Sequence, residues 1–215
     1  MTASERLEAK LRLATPTVNA AAERVWLGPD AARLYPLYLE RLHGIATGAV
    51  PLMRRALERC RRLDDAPSRV LAPFLEHHIP EEMGHDDWLL DDIAALGGDP
   101  DEVRRRMPSA PAASSNGAQL WWIENAHPVA LLGHAEVLEC SPPAIEMLDE
   151  FEARTGTPRA GMMFFRRHAE IDLRHREEIH ATLDALPLTD ELEGLIGMSA
   201  LHTASALIDL YRTVH

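Results

Sequence analysis

The spacing His-x3-acid-x2-His occurs twice in this chain, as His78, Glu82, His85 and again, ninety residues on, as His168, Asp172, His175. On an α-helix, positions i, i+4 and i+7 share one face within about two turns. Each copy therefore presents two imidazoles and a carboxylate as a single stripe. Two such stripes turned toward each other would hold iron, manganese or zinc. The feature constrains the fold as well as the chemistry, because both segments must be helical and must face one another.

The rest of the chain reads as helix too. Ala, Leu, Glu and Arg fill the long segments, an intrinsically helical composition, and no alternating run bounded by turn signals marks a strand. Hydrophobic residues make up 46% and aromatic ones only 5%, enough apolar surface for a core made mostly of Leu and Ala. At 215 residues one domain is expected, an all-α bundle over 1–215 with 1–29 as an N-terminal extension. Six or seven helices are predicted. Asp30 is placed to cap the first, over 31–63, where Pro51 should kink or divide it. A turn at 64–68 precedes a helix over 69–96, which ends at Gly97–Gly98. A short helix over 101–106 leads into 108–117, read as a loop from its Pro, Ala and Ser content. A helix over 119–139 stops at Ser141, Pro142 and Pro143, and a short helix runs to Thr155. Residues 158–186 carry the second stripe, and Thr189 caps a last helix reaching about 214.

Charge and cysteine content exclude several functions. The formal charge is −12, and all but one of the 22 basic residues are arginine. Such a chain is a poor partner for nucleic acid or an anionic membrane. Cys60 and Cys140 make no disulfide framework, so a reducing cytoplasm is expected. The N-terminus has no apolar core of a signal peptide, and no apolar run approaches the ~20 residues of a membrane span. A soluble, cytoplasmic protein is the expectation.

The second stripe is the cleaner, because no proline or glycine interrupts its helix and Phe164, Phe165, Ile171, Ile179 and Leu183 supply an adjoining apolar face. The alternative is a charged, solvated face. In the first stripe Pro80 should kink the helix, leaving Glu82 and His85 together after the kink and the aim of His78 open. His77, Glu76 and Glu81 read as solvated. Two acid-x2-His motifs on separate helices, plus carboxylates from two more, is how helical bundles build di-iron or di-manganese sites. The helix over 119–139 offers Glu136 and Glu139 in an apolar segment, an expensive place for unpartnered acids. The first helix offers Glu40. Mixed oxygen and nitrogen donors suit Fe(II) and Mn(II).

The segments HIPEEMGH with DDWLLDDIAALG, then HPVALLGHAEVLE, then HAEIDLRH resemble, in order over roughly 35–185, the heme-oxygenase-like helical superfamily. The likeness is to its non-heme, iron-containing oxidases and oxygenases, related to thiaminase-II-like and pyrroloquinoline-quinone-synthase-like proteins. The His-x3-Asp-x2-His element is its most specific part, and Gly133 to Glu139 is moderately so. The resemblance implies iron ligands at Glu82 or His78, at His85, at Glu139, and at His168, Asp172 and His175. Members often carry a carboxylate where this chain has His78, which leaves open one or two irons. It also implies Fe(II), with two ions expected, O2 as co-substrate, and oxidation of a small amine, amino acid or fatty-acid-like molecule. A homodimer is compatible with such a fold.

Other readings stand beside this one. His43 invites a heme ligand, but carboxylate stripes would crowd a heme pocket, and a packed helix face serves equally. Trp121, Trp122, Met162, Met163, Phe164 and Phe165 either wall a substrate pocket or form core. A ferritin-like bundle would use Glu40, Glu82, His85, Glu139, Asp172 and His175, with His168 as a surplus ligand. A cofactor-free, thiaminase-like enzyme would need a nucleophilic cysteine, and neither Cys60 nor Cys140 sits where thiolate is favoured. A binding protein that had lost its metal is the last alternative.

Overall fold

Capping residues, glycines and prolines cut the chain into more helices than its apolar period alone indicates. A computed structural model describes residues 1–140 and 142–215. Its α-helices are α1 (Ala3–Leu11), α2 (Thr15–Trp26), α3 (Ala31–Ala46), α4 (Ala49–Leu63), α5 (Ala66–Glu82) and α6 (His85–Ala95). They continue as α7 (Pro100–Arg105), α8 (Ala110–Asn125), α9 (Ala130–Glu139), α10 (Ile145–Thr155), α11 (Met163–Ala185) and α12 (Asp190–Arg212). One 3-10 turn, Arg159–Gly161, leads into α11. No strand occurs among the described residues, and none of their helices is long and apolar enough to cross a membrane. The all-α class holds, with twelve α-helices among the described residues in place of about seven.

Each extra break has a local cause. The expected helix over 31–63 divides at Thr47–Gly48, ahead of Pro51, which then sits in the first turn of α4 where its missing N–H costs nothing. Asp30 precedes α3 but makes no side-chain capping bond. The predicted loop over 108–117 is mostly helix: Ser109 caps α8 by accepting from the Ala112 amide, and Pro111 fits the first turn. The expected helix over 119–139 splits around His127 and Pro128 into α8 and α9. Cys140 ends α9, and Ser141 of the predicted stop lies outside the described residues. Thr189 caps α12 as expected, accepting from the Leu192 amide.

The N-terminal 29 residues are part of the bundle. Thr2 and Glu5 form a capping box on α1, and Arg6 pairs bidentately with Glu193 of α12, at 2.8 and 2.6 Å. At the end of α2, Trp26 is buried against Tyr35, Tyr38, Phe151 and Phe165 in edge-to-face contacts of 5.1–6.1 Å.

Two apolar clusters result. One gathers Leu71, Leu75 and Ile79 of α5, Leu131, Leu132 and Ala135 of α9, and Ile179 and Leu183 of α11. The other gathers Leu89, Leu90 and Ile93 of α6 with Tyr35, Tyr38, Phe164 and Phe165. α11 joins both, and its polar stripe lies between Phe165 and Ile179. α9 meets α12 so closely at Gly133 that a Cβ there would overlap the Ile196 carbonyl oxygen and stand 2.9 Å from the Ala200 amide nitrogen. Gly133→Ala is therefore expected to cost about 2 kcal/mol, because overpacking outweighs alanine's helix propensity. Thermal denaturation would measure it, and an unchanged Tm would contradict the contact.

Candidate metal centre

Seven buried side chains from four helices converge in that waist: His78 and Glu82 from α5, His85 from α6, Glu139 from α9, and His168, Asp172 and His175 from α11. The α11 stripe forms as its spacing predicts, buried while Leu173 beside it faces solvent. The first stripe is built differently from the prediction. Pro80 lies within α5 without ending it, and the chain turns after Glu82. Gly84, at φ 89°, supplies the left-handed residue that starts α6 at His85. Glu82 and His85 thus do not share a helix face. They meet across the turn, with Glu82 Oε2 3.2 Å from His85 Nδ1. His78, whose aim was open, is wholly buried in the cluster.

Glu82 and Glu139 bind the ring together. His78 Nε2–H donates to Glu139 Oε2 at 2.9 Å. His175 Nδ1 stands 3.3 Å from both Glu82 Oε1 and Glu139 Oε2, and 3.9 Å from Asp172 Oδ1. The His78 and His175 rings lie 4.4 Å apart, and those of His85 and His168 4.9 Å apart. His168 Nδ1–H donates to the Phe164 carbonyl at 2.8 Å, which fixes its tautomer and leaves the Nε2 lone pair free.

The charges are set by burial and by these contacts. Burial, reinforced by the charges of Glu139 and Glu82, pushes the Asp172 carboxyl up to about 9. Burial would raise Glu139 as well, but the His175 ring 3.3 Å away and the bond from His78 hold it below the usual carboxylate range. His78 answers in the opposite sense: burial disfavours its cation, and the bond to Glu139 more than restores it. Burial lowers His168.

The fit to a cation is tested by what the protein leaves unsatisfied. His78 Nδ1, Glu82 Oε1, His85 Nδ1, Asp172 Oδ1 and both nitrogens of His175 are buried without hydrogen-bond partners. Orphaned polar atoms are rare in folded proteins and costly. Here six of them belong to one ring of side chains, and a divalent ion satisfies several at once. Four imidazoles with three carboxylates and no thiolate suit Fe(II) or Mn(II).

An unpredicted residue orients the stripe. Asp92 of α6, fully buried, accepts from the Met163 and Phe164 amides at 3.0 and 2.9 Å, so it caps α11 from another helix. Nothing in DDWLLDDI distinguishes it from its acidic neighbours. Burial pushes its carboxyl from 3.8 up to about 6, against those two amide bonds. The folded state then holds a proton between about pH 4 and 6 that the unfolded state has lost. Asp92 therefore makes stability fall as pH rises through that window, by roughly 3 kcal/mol across it. The stability difference between the protein and Asp92→Asn, followed by denaturant unfolding from pH 4 to 7, is expected to shift in that sense; a constant difference would refute it.

A cavity of about 810 Å³ opens beside the cluster. Glu82, His85, His168 and Asp172 form its polar side, and Trp26, Tyr38, Leu42, Ile45, Phe164 and Phe165 contribute apolar wall. Several sequence candidates lie elsewhere. Glu40 is bonded to Arg106 and so is no member of the cluster. His43 is packed on α3 near Asp86 and Arg104, with burial lowering its basicity. Trp121 is 60% exposed and walls no pocket, while Met162 is core. Glu136 pairs with His180, outside the ring.

The fold and the ring define a helical protein built around a buried histidine–carboxylate centre. Residues 49–207 match the family described as iron-containing redox enzyme, and the chain belongs to that family. Two solved structures share its fold. One is a domain of unknown function with a heme oxygenase-like fold from Shewanella denitrificans OS217, 24% identical, covering 98% of this chain and 89% of that one, TM-score 0.73. The other is a TenA homolog from Pseudomonas syringae pv. tomato strain DC3000, 12% identical, covering 97% and 90%, TM-score 0.70. A comparison with curated proteins finds no match. The fold is thus heme-oxygenase-like and is shared with the TenA homolog.

Proposed function

We propose that this protein is a non-heme di-iron oxidase or oxygenase that uses O2 to oxidise a small substrate with an apolar body. The observation that carries the reading is the sharing of Glu82. Two sets of donor atoms, each within 4.8 Å of one another, meet at that residue: His78, Glu82, Glu139 and His175 form one, and Glu82, His85 and His168 the other. A carboxylate common to two ligand sets is how helical bundles hold paired metals.

Iron, when bound, supplies O2 activation and the redox chemistry. The chain's own residues set the conditions for it. The Phe164 carbonyl holds the proton of His168 on Nδ1, so Nε2 stays a donor to metal. Asp172 keeps a proton at neutral pH until a cation takes its place, which lowers the repulsion among three buried acids. Phe164, Phe165 and Leu42 exclude water beside His168 and bind the apolar part of an amine, amino acid or fatty-acid-like substrate.

A cofactor-free cysteine mechanism finds less support. Burial pushes the Cys60 thiol up to about 11 and raises Cys140 further, so neither is a ready thiolate at neutral pH. Anaerobic Fe(II) titration followed by exposure to O2 tests the proposal. Two ions per chain and an optical change on oxygenation are expected. Saturation at one ion would remove the di-iron part, and no binding would remove the whole reading.

A further inference from the structure

Glu136 and Cys140 lie one turn apart on α9, and His180 of α11 reaches them from across the helix interface. His180 Nε2–H is 3.2 and 3.1 Å from the two Glu136 oxygens, and the Cys140 sulfur lies within 4.8 Å of the same carboxylate. The Glu136 side chain is 3% exposed and that of His180 21%. Cys140 is buried. Donor atoms of all three residues fall within 4.8 Å of one another. Both Glu136 and Cys140 line the same cavity as the iron-type cluster, and Glu139, the residue before Cys140, points away to His78 and His175.

We propose that Glu136, Cys140 and His180 form a second metal site, selective for a thiolate-preferring divalent cation such as Zn2+. Zinc takes sulfur, nitrogen and carboxylate donors at roughly 2.0 to 2.3 Å, so atoms already this close need only small side-chain shifts to surround it. The sulfur separates this site from the other cluster, whose donors are nitrogen and oxygen alone. On binding, the Cys140 thiol proton leaves to solvent and the His180 proton moves from Nε2 to Nδ1, so that sulfur and Nε2 both donate lone pairs. Glu136 exchanges the His180 proton donor for a cation. Glu8 of α1 stands 3.9 Å from His180 Nε2, held at 2.6 Å by Arg176, and would offer a further oxygen donor beside the site. The site does not depend on the iron reading.

Cobalt(II) is the probe, because only a sulfur ligand gives it a thiolate-to-metal charge-transfer band in the near ultraviolet. Metal-free protein titrated anaerobically with cobalt chloride is expected to develop that band, with an amplitude corresponding to one thiolate-bound ion per chain, and to lose it on adding zinc chloride. Cys140→Ser should abolish the band while still taking up Fe(II) at the other cluster, which keeps the two readings distinguishable. His175→Ala should retain it. His180 is partly exposed, so His180→Gln should fold normally and weaken cobalt binding at this site by about tenfold or more. Absence of the band in the wild-type protein at cobalt saturation, or its persistence in Cys140→Ser, would overturn the proposal.

Discussion

If the proposed di-iron centre is right, Glu82→Ala is expected to empty both of its iron positions at once. Glu82 is the one carboxylate that both donor sets contain, and its Oε1 is among the orphaned buried atoms. Glu139→Ala and His85→Ala each touch one set and should leave the other partly occupied. The pattern, rather than any single loss, is the test. Iron content after anaerobic loading should fall from two ions to none in Glu82→Ala and to about one in each of the others, allowing for loss of affinity in the shared framework. Oxidase activity should fall in Glu82→Ala by about 10³-fold or more, equivalent to roughly 4 kcal/mol of transition-state stabilisation. Circular dichroism distinguishes this from unfolding: the ring sits between two apolar clusters that Glu82 does not fill, so helicity should persist. If Glu82→Ala bound iron like the wild type, the shared-carboxylate centre would be wrong.

Trp26→Ala carries the largest expected loss of stability. Trp26 touches four aromatic rings, from α3, α10 and α11, and its indole N–H donates to the Tyr211 hydroxyl at 3.3 Å. Deleting such a side chain costs about 3–5 kcal/mol, through lost burial and the cavity left behind. For a chain of this size that lowers Tm by roughly 10 °C. Trp26→Phe should recover a large part of it. Trp26 also lines the cavity but makes no contact with the metal ring, so iron stoichiometry should be unchanged while substrate affinity alters. A Tm within about 3 °C of wild type would show that the N-terminal helices contribute little to the fold.

How much of this was readable in advance depended on how local the cause was. The α11 stripe was legible because 23 residues without proline or glycine leave one geometry for His168, Asp172 and His175. The first stripe was not. Pro80 predicts a kink, yet the chain leaves the helix only after Glu82, at Met83 and Gly84, where absence of a Cβ on Gly84 permits φ 89°. Glu40 matched a bundle carboxylate by position, and Arg106, far away in sequence, claims it. Asp92 showed no signal at all, since capping another helix is a tertiary relation.

The choice between Glu136 and Glu139 shows the same division. Both sit in one apolar segment, three residues apart, and either satisfies a motif. Only the docking of α9 decides between them: it sends Glu139 to His78 and His175 and Glu136 to His180. By itself the sequence determined the helical class, the histidine–aspartate stripe of α11 and the kinds of donor available, because helical period and residue chemistry act over a few residues. Tertiary structure alone decided where the first stripe breaks, which carboxylates enter the ring, and that the N-terminal helices belong to the bundle. Those outcomes rest on contacts between residues distant in the chain, and buried charges settle wherever such contacts supply a partner.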